Sequence, residues 1–161
     1  MIHCALCMAA LGALSIASGA PLVIPAVGAS AYLVFSTPRA EVAAPRNVIV
    51  GHALGASIGW AMIRVFHLQD APGGLVLALT WQRAAAVALS CGVTIGVLRA
   101  LSCSHPPAGA TPIIVAIGAM PEARHVLDFV LAALVVVVYA TIACRTLGYP
   151  IWRAAPEPRR D

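Results

Sequence analysis

Four stretches of this chain, residues 4–24, 48–66, 84–101 and 126–144, are apolar almost without interruption. A helix needs about 20 such residues to cross the hydrocarbon of a bilayer, and there only a helix or a closed barrel keeps its backbone amides and carbonyls paired. Residues of the AVILMFWYC set make up 61% of the chain and charged residues 10%. A soluble domain carries about 25% charged residues, so too little polar surface is left here to coat a water-soluble globule. The N-terminal run imitates a signal peptide but lacks a basic leader, and the rest of the chain is equally oily, so it reads as a first membrane helix. The expected fold is an all-α integral membrane protein with four long transmembrane helices. A single membrane domain is expected over residues 1–147, followed by a short tail over 148–161.

The connections carry the charge. All the basic residues are arginines, and the formal net charge is +4. They are scattered, with no basic run interleaved with aromatics, which excludes the usual nucleic-acid signature. They read instead as topogenic signals. Arg145, Arg153, Arg159 and Arg160 put the C-terminus on the cytoplasmic side, and a bacterial inner (plasma) membrane is the expected location. The 5 cysteines are odd in number and mostly within apolar stretches, so they read as small buried residues and not as a disulfide framework. His3, Cys4 and Cys7 lack a second ligand cluster, and no metal or other cofactor is expected. No phosphate loop, dinucleotide fingerprint, nucleophile elbow or HExxH occurs, so no enzymatic activity is expected.

Two glycine series have membrane-packing spacing: Gly51, Gly55 and Gly59 on one helix face, and Gly92 with Gly96 on another. Lipid supplies no hydrophobic drive between helices, so small residues that admit close approach form the seams. These seams would lie within the protomer or between the copies of a homo-oligomer.

Two shorter apolar pieces, 26–35 and 107–118, cover only about 15 to 18 Å as helix. Each follows the same pattern, P-x-x-G-A-[ST], once in "PAVGASAYLVF" from Pro25 and once in "PPAGATPIIVA" from Pro106. Each is preceded and followed by a long segment, so the order long, short, long occurs twice, over about 4–66 and 84–145. Short, broken segments at corresponding places in an internal two-fold repeat mark a transporter-type site near the bilayer midplane. A helix that begins there exposes unpaired amides and the positive end of its dipole, which favour an anion.

On this reading the amides of Gly28, Ala29 and Ser30 face those of Ala108, Gly109, Ala110 and Thr111 across a small anion cage. Arg46 and Asn47 either draw the ion in or sit at the interface. His52 either lines the pore or bonds to a neighbouring helix, and His105 titrates near neutral pH beside the break. Arg99 and Asp128 either pair across the bundle or reach an interface. If the short pieces re-enter, the halves are parallel. If they cross with the help of extended residues, the halves are inverted, and the arginine distribution favours inversion.

The motifs "HPPAGAT" (105–111), "GASAYLVFSTP" (28–38) and "PRNVIVGH" (45–52) resemble, in order, those of the HPP family of integral membrane proteins. The resemblance runs from about Pro21 to Cys144. It implies a four-helix membrane protein and, because some plastid and cyanobacterial relatives are nitrite transporters, passage of nitrite or a similar anion. Pro112 stands where relatives usually have alanine, which predicts a bent second half-helix. Ala44 replaces a common glutamine before the PRN motif. No CBS-like segment follows, so nucleotide regulation in cis is not expected. The expected function is a transporter or channel for nitrite, with nitrate second, whose partners are the small anion and the lipid bilayer. The alternative is a non-transporting membrane scaffold or sensor.

Overall fold

A computed structural model describes residues 2–148; the remainder of the C-terminal tail, with Arg153, Arg159 and Arg160, lies outside the described residues. The described chain is all-helical and has six α-helices: α1 (Ile2–Ser18), α2 (Pro25–Ser36), α3 (Pro45–Val65), α4 (Trp81–Ala100), α5 (Ala110–Ala116) and α6 (Arg124–Thr146). Short 3₁₀ turns at Glu41–Ala43 and Pro106–Gly109 introduce α3 and α5. Three helices, α3, α4 and α6, are long and apolar enough to cross a membrane. Apolar side chains on their outer faces, including Val93, Leu131, Leu134, Val138 and Ile142, are exposed and suit a lipid environment.

The first helix is shorter than its apolar run. Gly19 takes a left-handed φ of +70°, Leu22 N donates to Ala20 O across a tight turn, and Ile24 is extended just before Pro25. A helix of 17 residues reaches about 25 Å, less than the ~30 Å of hydrocarbon. The turn after Gly19 does not orphan its backbone: the Ser15 hydroxyl donates to Ala20 O and accepts from Leu22 N. Leu22 and Ile24 are buried on the way back.

Helix starts follow local chemistry. Pro25 and Pro45 stand first in α2 and α3, where a missing N–H costs nothing, and Thr80 Oγ1 accepts from Arg83 N at the start of α4. Pro112 is accommodated inside α5. It is the third residue of the helix, and first-turn amides have no intrahelical acceptor to lose. Pro121 does not open the last helix, although a first-turn proline would suit it; α6 begins at Arg124, after a turn in which Glu122 N donates to His125 Nδ1.

Helix α3 packs against α4, α5 and α6, and α6 packs against α1, α2 and α3; α1 also meets α2, and α4 meets α5. Side-chain bonds fix the directions. Arg46 at the start of α3 reaches the carbonyls of Leu101 and Ser102 just past α4, so α3 and α4 are antiparallel. Gly51 lies against Ala108 and Gly59 against Val115, so α5 runs parallel to α3. Val23 to Pro25, before α2, line the same groove as Ile117 to Met120 after α5, while Val42 beyond α2 meets His105 ahead of α5. Those two short helices are therefore antiparallel.

The two glycine series separate here. A Cβ on Gly51 would stand 2.8 Å from Ala108 Cβ, and on Gly59 it would stand 2.9 Å from Pro112 O. This seam is inside the protomer and receives the second motif. Gly92 and Gly96 meet nothing within 4 Å and face outward.

Candidate functional site

The two copies of the repeated motif meet at buried polar side chains. Ser30, from the first copy, and Thr111, from the second, both contact His52, which projects from the second turn of α3. The Ser30 hydroxyl lies 2.7 Å from His52 Nε2 and 2.8 Å from His105 Nε2; Thr111 Oγ1 lies 2.7 Å from His52 Nδ1. His105 Nδ1 closes the series at 2.7 Å from Val42 O. Ser30, His52 and Thr111 are fully buried and His105 is 3% exposed. The His52 ring lies along Phe129 with centroids 6.2 Å apart and meets His105 edge-on at 5.3 Å.

The carbonyl of Val42 only accepts, so His105 Nδ1 carries the hydrogen. With both rings neutral, every other role is fixed in turn. His105 Nε2 accepts from Ser30 O–H, Ser30 Oγ accepts from His52 Nε2–H, and His52 Nδ1 accepts from Thr111 O–H. Ala26 O, at 3.1 Å, is a longer alternative for the single Ser30 hydrogen. The result is an unbroken series of donors pointing one way, from Thr111 to Val42, with each ring nitrogen used. Buried polar groups this well paired are rigid.

The backbone amides are employed differently from the expected cage. Gly28 N donates to Ile24 O within α2, because only the first three positions of a helix lack a partner and Gly28 is the fourth. Ala29 is on the exposed face of α2. In the second copy the 3₁₀ turn pairs amides one residue earlier than an α-turn does: Ala108 N donates to His105 O, and Ala110 N to the carbonyls of Pro107 and Ala108. The motif thus brings hydroxyls and imidazoles together instead of free amides at these positions.

Next to this series is an open cavity of about 550 Å³, lined by Glu41, Arg99, Ser102, Ser104, His105 and Gly109, among others. His105 and Gly109 are the two expected site residues on its wall. Gly109 has no atom within 4 Å of where a Cβ would stand. Arg99 does not pair with Asp128: among the described residues the ion pair is Arg124 with Glu122 on the surface, and Asp128 Oδ2 is buried without a partner.

Arg46 and Asn47 hold the cavity's frame. Arg46 is spent on the carbonyls of Leu101 and Ser102, where a cation suits the α4 C-terminus. Asn47 Nδ2 donates to Glu41 O and Ser104 O, fastening the turn beside Val42 to the non-helical segment that carries His105. Asn47→Leu, which keeps the bulk but frees two carbonyls, is expected to loosen His105. Hydrogen exchange at residues 101–108 measures this, and faster exchange there than in α6 is the expected result.

One buried residue was not singled out by sequence pattern. Arg83 is 2% exposed and donates to Ala116 O, Ala71 O and Leu68 O at 3.0, 3.1 and 3.5 Å. An arginine in the first turn of a helix opposes the dipole, and that oddity was the available signal that its charge serves a neighbour.

These features define an all-helical membrane protein with a His–Ser–His–Thr junction between two copies of one motif, beside a cavity open at one end. The family model for the HPP transmembrane region matches residues 1–150, and the chain belongs to that family. Two similar proteins of Dictyostelium discoideum, each named only as a transmembrane protein, are 31% and 30% identical over 81% and 77% of this chain. The chain spans 45% and 39% of their lengths, less than half of each. No solved structure matches.

Proposed function

We propose that this protein is a transporter or channel for a small monovalent anion, with nitrite the first candidate and nitrate the second. The observation that carries the reading is the cavity of about 550 Å³ that joins the charged groups Arg99 and Glu41 to His105 and Gly109 at the break before α5. The cavity opens where α3 begins and α4 ends, and the non-helical backbone before α5 lines it. Arg99 gives it a cation, Ser102 and Ser104 line it with hydroxyls, and Glu41 limits the attraction so that a bound anion can leave. The resemblance of the three motifs to nitrite-transporting relatives selects nitrite.

An internal two-fold repeat belongs to the proposal. Exchanging α1, α2 and α3 for α4, α5 and α6 leaves the observed helix pairings unchanged, and the antiparallel course of α2 and α5 supports inverted halves. The first of four crossings is then α1. Arg39, Arg46, Arg99 and Arg145 fall at the His105 end and Arg64, Arg83 and Arg124 at the other, which supports a cytoplasmic His105 end. A bacterial inner membrane is the proposed location, and a homo-oligomer is proposed through the outward face of Gly92 and Gly96.

Purified protein in vesicles should pass nitrite faster than protein-free vesicles do. Gly109→Leu places a side chain in the cavity without meeting any neighbour at its Cβ. Nitrite flux is expected to fall to the protein-free level while thermal unfolding in detergent is unchanged. Wild-type flux equal to that of empty vesicles would overturn the reading in favour of a scaffold.

A further inference from the structure

We infer that the connection between α3 and α4 folds back onto the bilayer at the end of the molecule opposite His105 and inserts its apolar part, residues 73–81, into the border between acyl chains and headgroups. The inference is independent of the anion reading. The connection has two parts of opposite character. His67, Gln69 and Asp70, just after α3, are polar and exposed. From Ala71 to Gln82 no charged residue occurs, and Leu75, Val76, Leu77, Leu79 and Trp81 are each more than half exposed, Trp81 at 91%. So many large apolar side chains in so short a segment call for an apolar partner.

The apolar part is held in place by the rest of the protein. Gly74 N donates to Ile117 O at 2.7 Å, and Val76 N and Leu77 N donate to Gly73 O at 2.9 and 3.2 Å. A Cβ on Gly73 would stand 2.9 Å from Gly118 O, so the turn is seated directly on the chain after α5. An amide is costly to take out of water unpaired, and these three are already paired. The seat also sets the depth. Gly59 lies against Val115, and α3 continues from there to Val65, whereas Ile117 is only two residues past Val115 on the parallel α5 side. At 1.5 Å per residue the turn is about 6 Å short of the end of α3. It is therefore level with the last part of a helix able to cross a membrane, and does not project beyond it.

The surroundings select lipid as the occupant. Through Trp81 the turn leads directly into α4, whose exposed Leu89 and Val93 belong to a helix long and apolar enough to cross a membrane, so the turn continues a lipid-facing surface. On its other side Leu75 borders a groove of about 350 Å³ shared with Val23, Ile113, Ile117 and Met120, and every residue lining that groove is apolar. Acyl chains suit such a surface, which offers no charge to a headgroup. Thr80, the one hydroxyl in the segment, is engaged with Arg83 N. Tryptophan favours the membrane–water border, where the ring lies among apolar groups and the indole N–H reaches water or ester oxygen. Trp81 stands where the turn meets the helix, which is where such a residue belongs.

The test uses the whole protein in phosphatidylcholine vesicles and reads the emission of a tryptophan added by Val76→Trp, as the difference from wild type. Val76 is 80% exposed, so the substitution meets little packing; Leu77→Trp repeats the measurement one residue on. Gln69→Trp, in the polar part of the same connection, is the control. Lipid brominated near the headgroup end of its chains is expected to quench Val76→Trp strongly, lipid brominated near the methyl end less, and iodide on both sides of the membrane hardly at all. Gln69→Trp is expected to behave in the opposite way, quenched by iodide and spared by brominated lipid. Iodide quenching of Val76→Trp and Leu77→Trp equal to that of Gln69→Trp would place the turn in water and overturn the inference. Protection from both quenchers would overturn it in favour of a second copy covering the turn, and stronger quenching by the methyl-end bromine would overturn the border position.

Discussion

Gly59→Leu is expected to disassemble the junction between α3 and α5, with the protein recovered mainly as aggregate. At this position even a Cβ would stand 2.9 Å from Pro112 O, 2.9 Å from Val115 Cβ and 3.0 Å from Pro112 Cα. Two of these three atoms belong to the backbone, so no rotamer change relieves the contact and the helices must separate. Overpacking a well-packed interior costs about 1–3 kcal/mol for smaller insertions, and a leucine here exceeds that range. Gly59→Ala should cost less, because removing a mid-helix glycine returns about 0.8–1 kcal/mol of helix propensity. Gly92→Leu is the control: it has the same residue type and spacing, but nothing lies within 4 Å. Thermal unfolding of the protomer in detergent should separate the pair, with Gly59→Leu unfolded and Gly92→Leu folded. Similar behaviour of the two would show that the α3 seam is not what holds the second motif in place.

The same contrast shows what was legible in the sequence. Glycines four apart identified two close-approach faces, but spacing alone does not say which face has a partner inside the chain. That depends on α5, a helix of 7 residues whose position is set by the 3₁₀ turn before it. The apolar runs gave α3, α4 and α6 to within a few residues because a membrane span is long and its hydropathy unbroken. They overran α1, where Gly19 ends the helix but the apolar character continues through non-helical residues. The repeated motif singled out Ser30, Thr111 and His105, and the structure joins Ser30 to both His105 and His52 and Thr111 to His52. Which amides are paired is not legible in the motif, because amide pairing changes within one residue of a helix start. Gly28 is bonded, whereas a residue one position earlier has no intrahelical acceptor. His52 was legible as a buried histidine but not as the bridge, since its two partners are 22 and 59 residues away.

Arg83→Gln is expected to be the most damaging single polar substitution at the end of the molecule opposite His105. The guanidinium is 2% exposed and gathers three carbonyls from two segments: Leu68 and Ala71 after α3, and Ala116 at the last turn of α5. The fork of a planar guanidinium spans such a set, whereas a glutamine amide has two hydrogens on one nitrogen and a shorter reach. At least one carbonyl would be left unsatisfied, at about 1–3 kcal/mol for each buried group. The α5 C-terminus would also lose the cation that complements its dipole, which contributes up to about 2 kcal/mol in a partly buried setting. Arg83→Lys should rescue little, because an ammonium is a single point among three acceptors. The same contact can be broken from the other side. Gly118 takes a φ of +90°, and a Cβ there would stand 2.8 Å from Arg83 Nη1 and 2.9 Å from Gly73 Cα. Gly118→Ala therefore combines backbone strain with displacement of the guanidinium, and its loss combined with that of Arg83→Gln should be less than additive, since the guanidinium contact is common to both. A thermal-unfolding double-mutant cycle measures this. Full additivity would mean that Gly118 and Arg83 act separately and that the guanidinium is not what ties the end of α5 to the chain after α3.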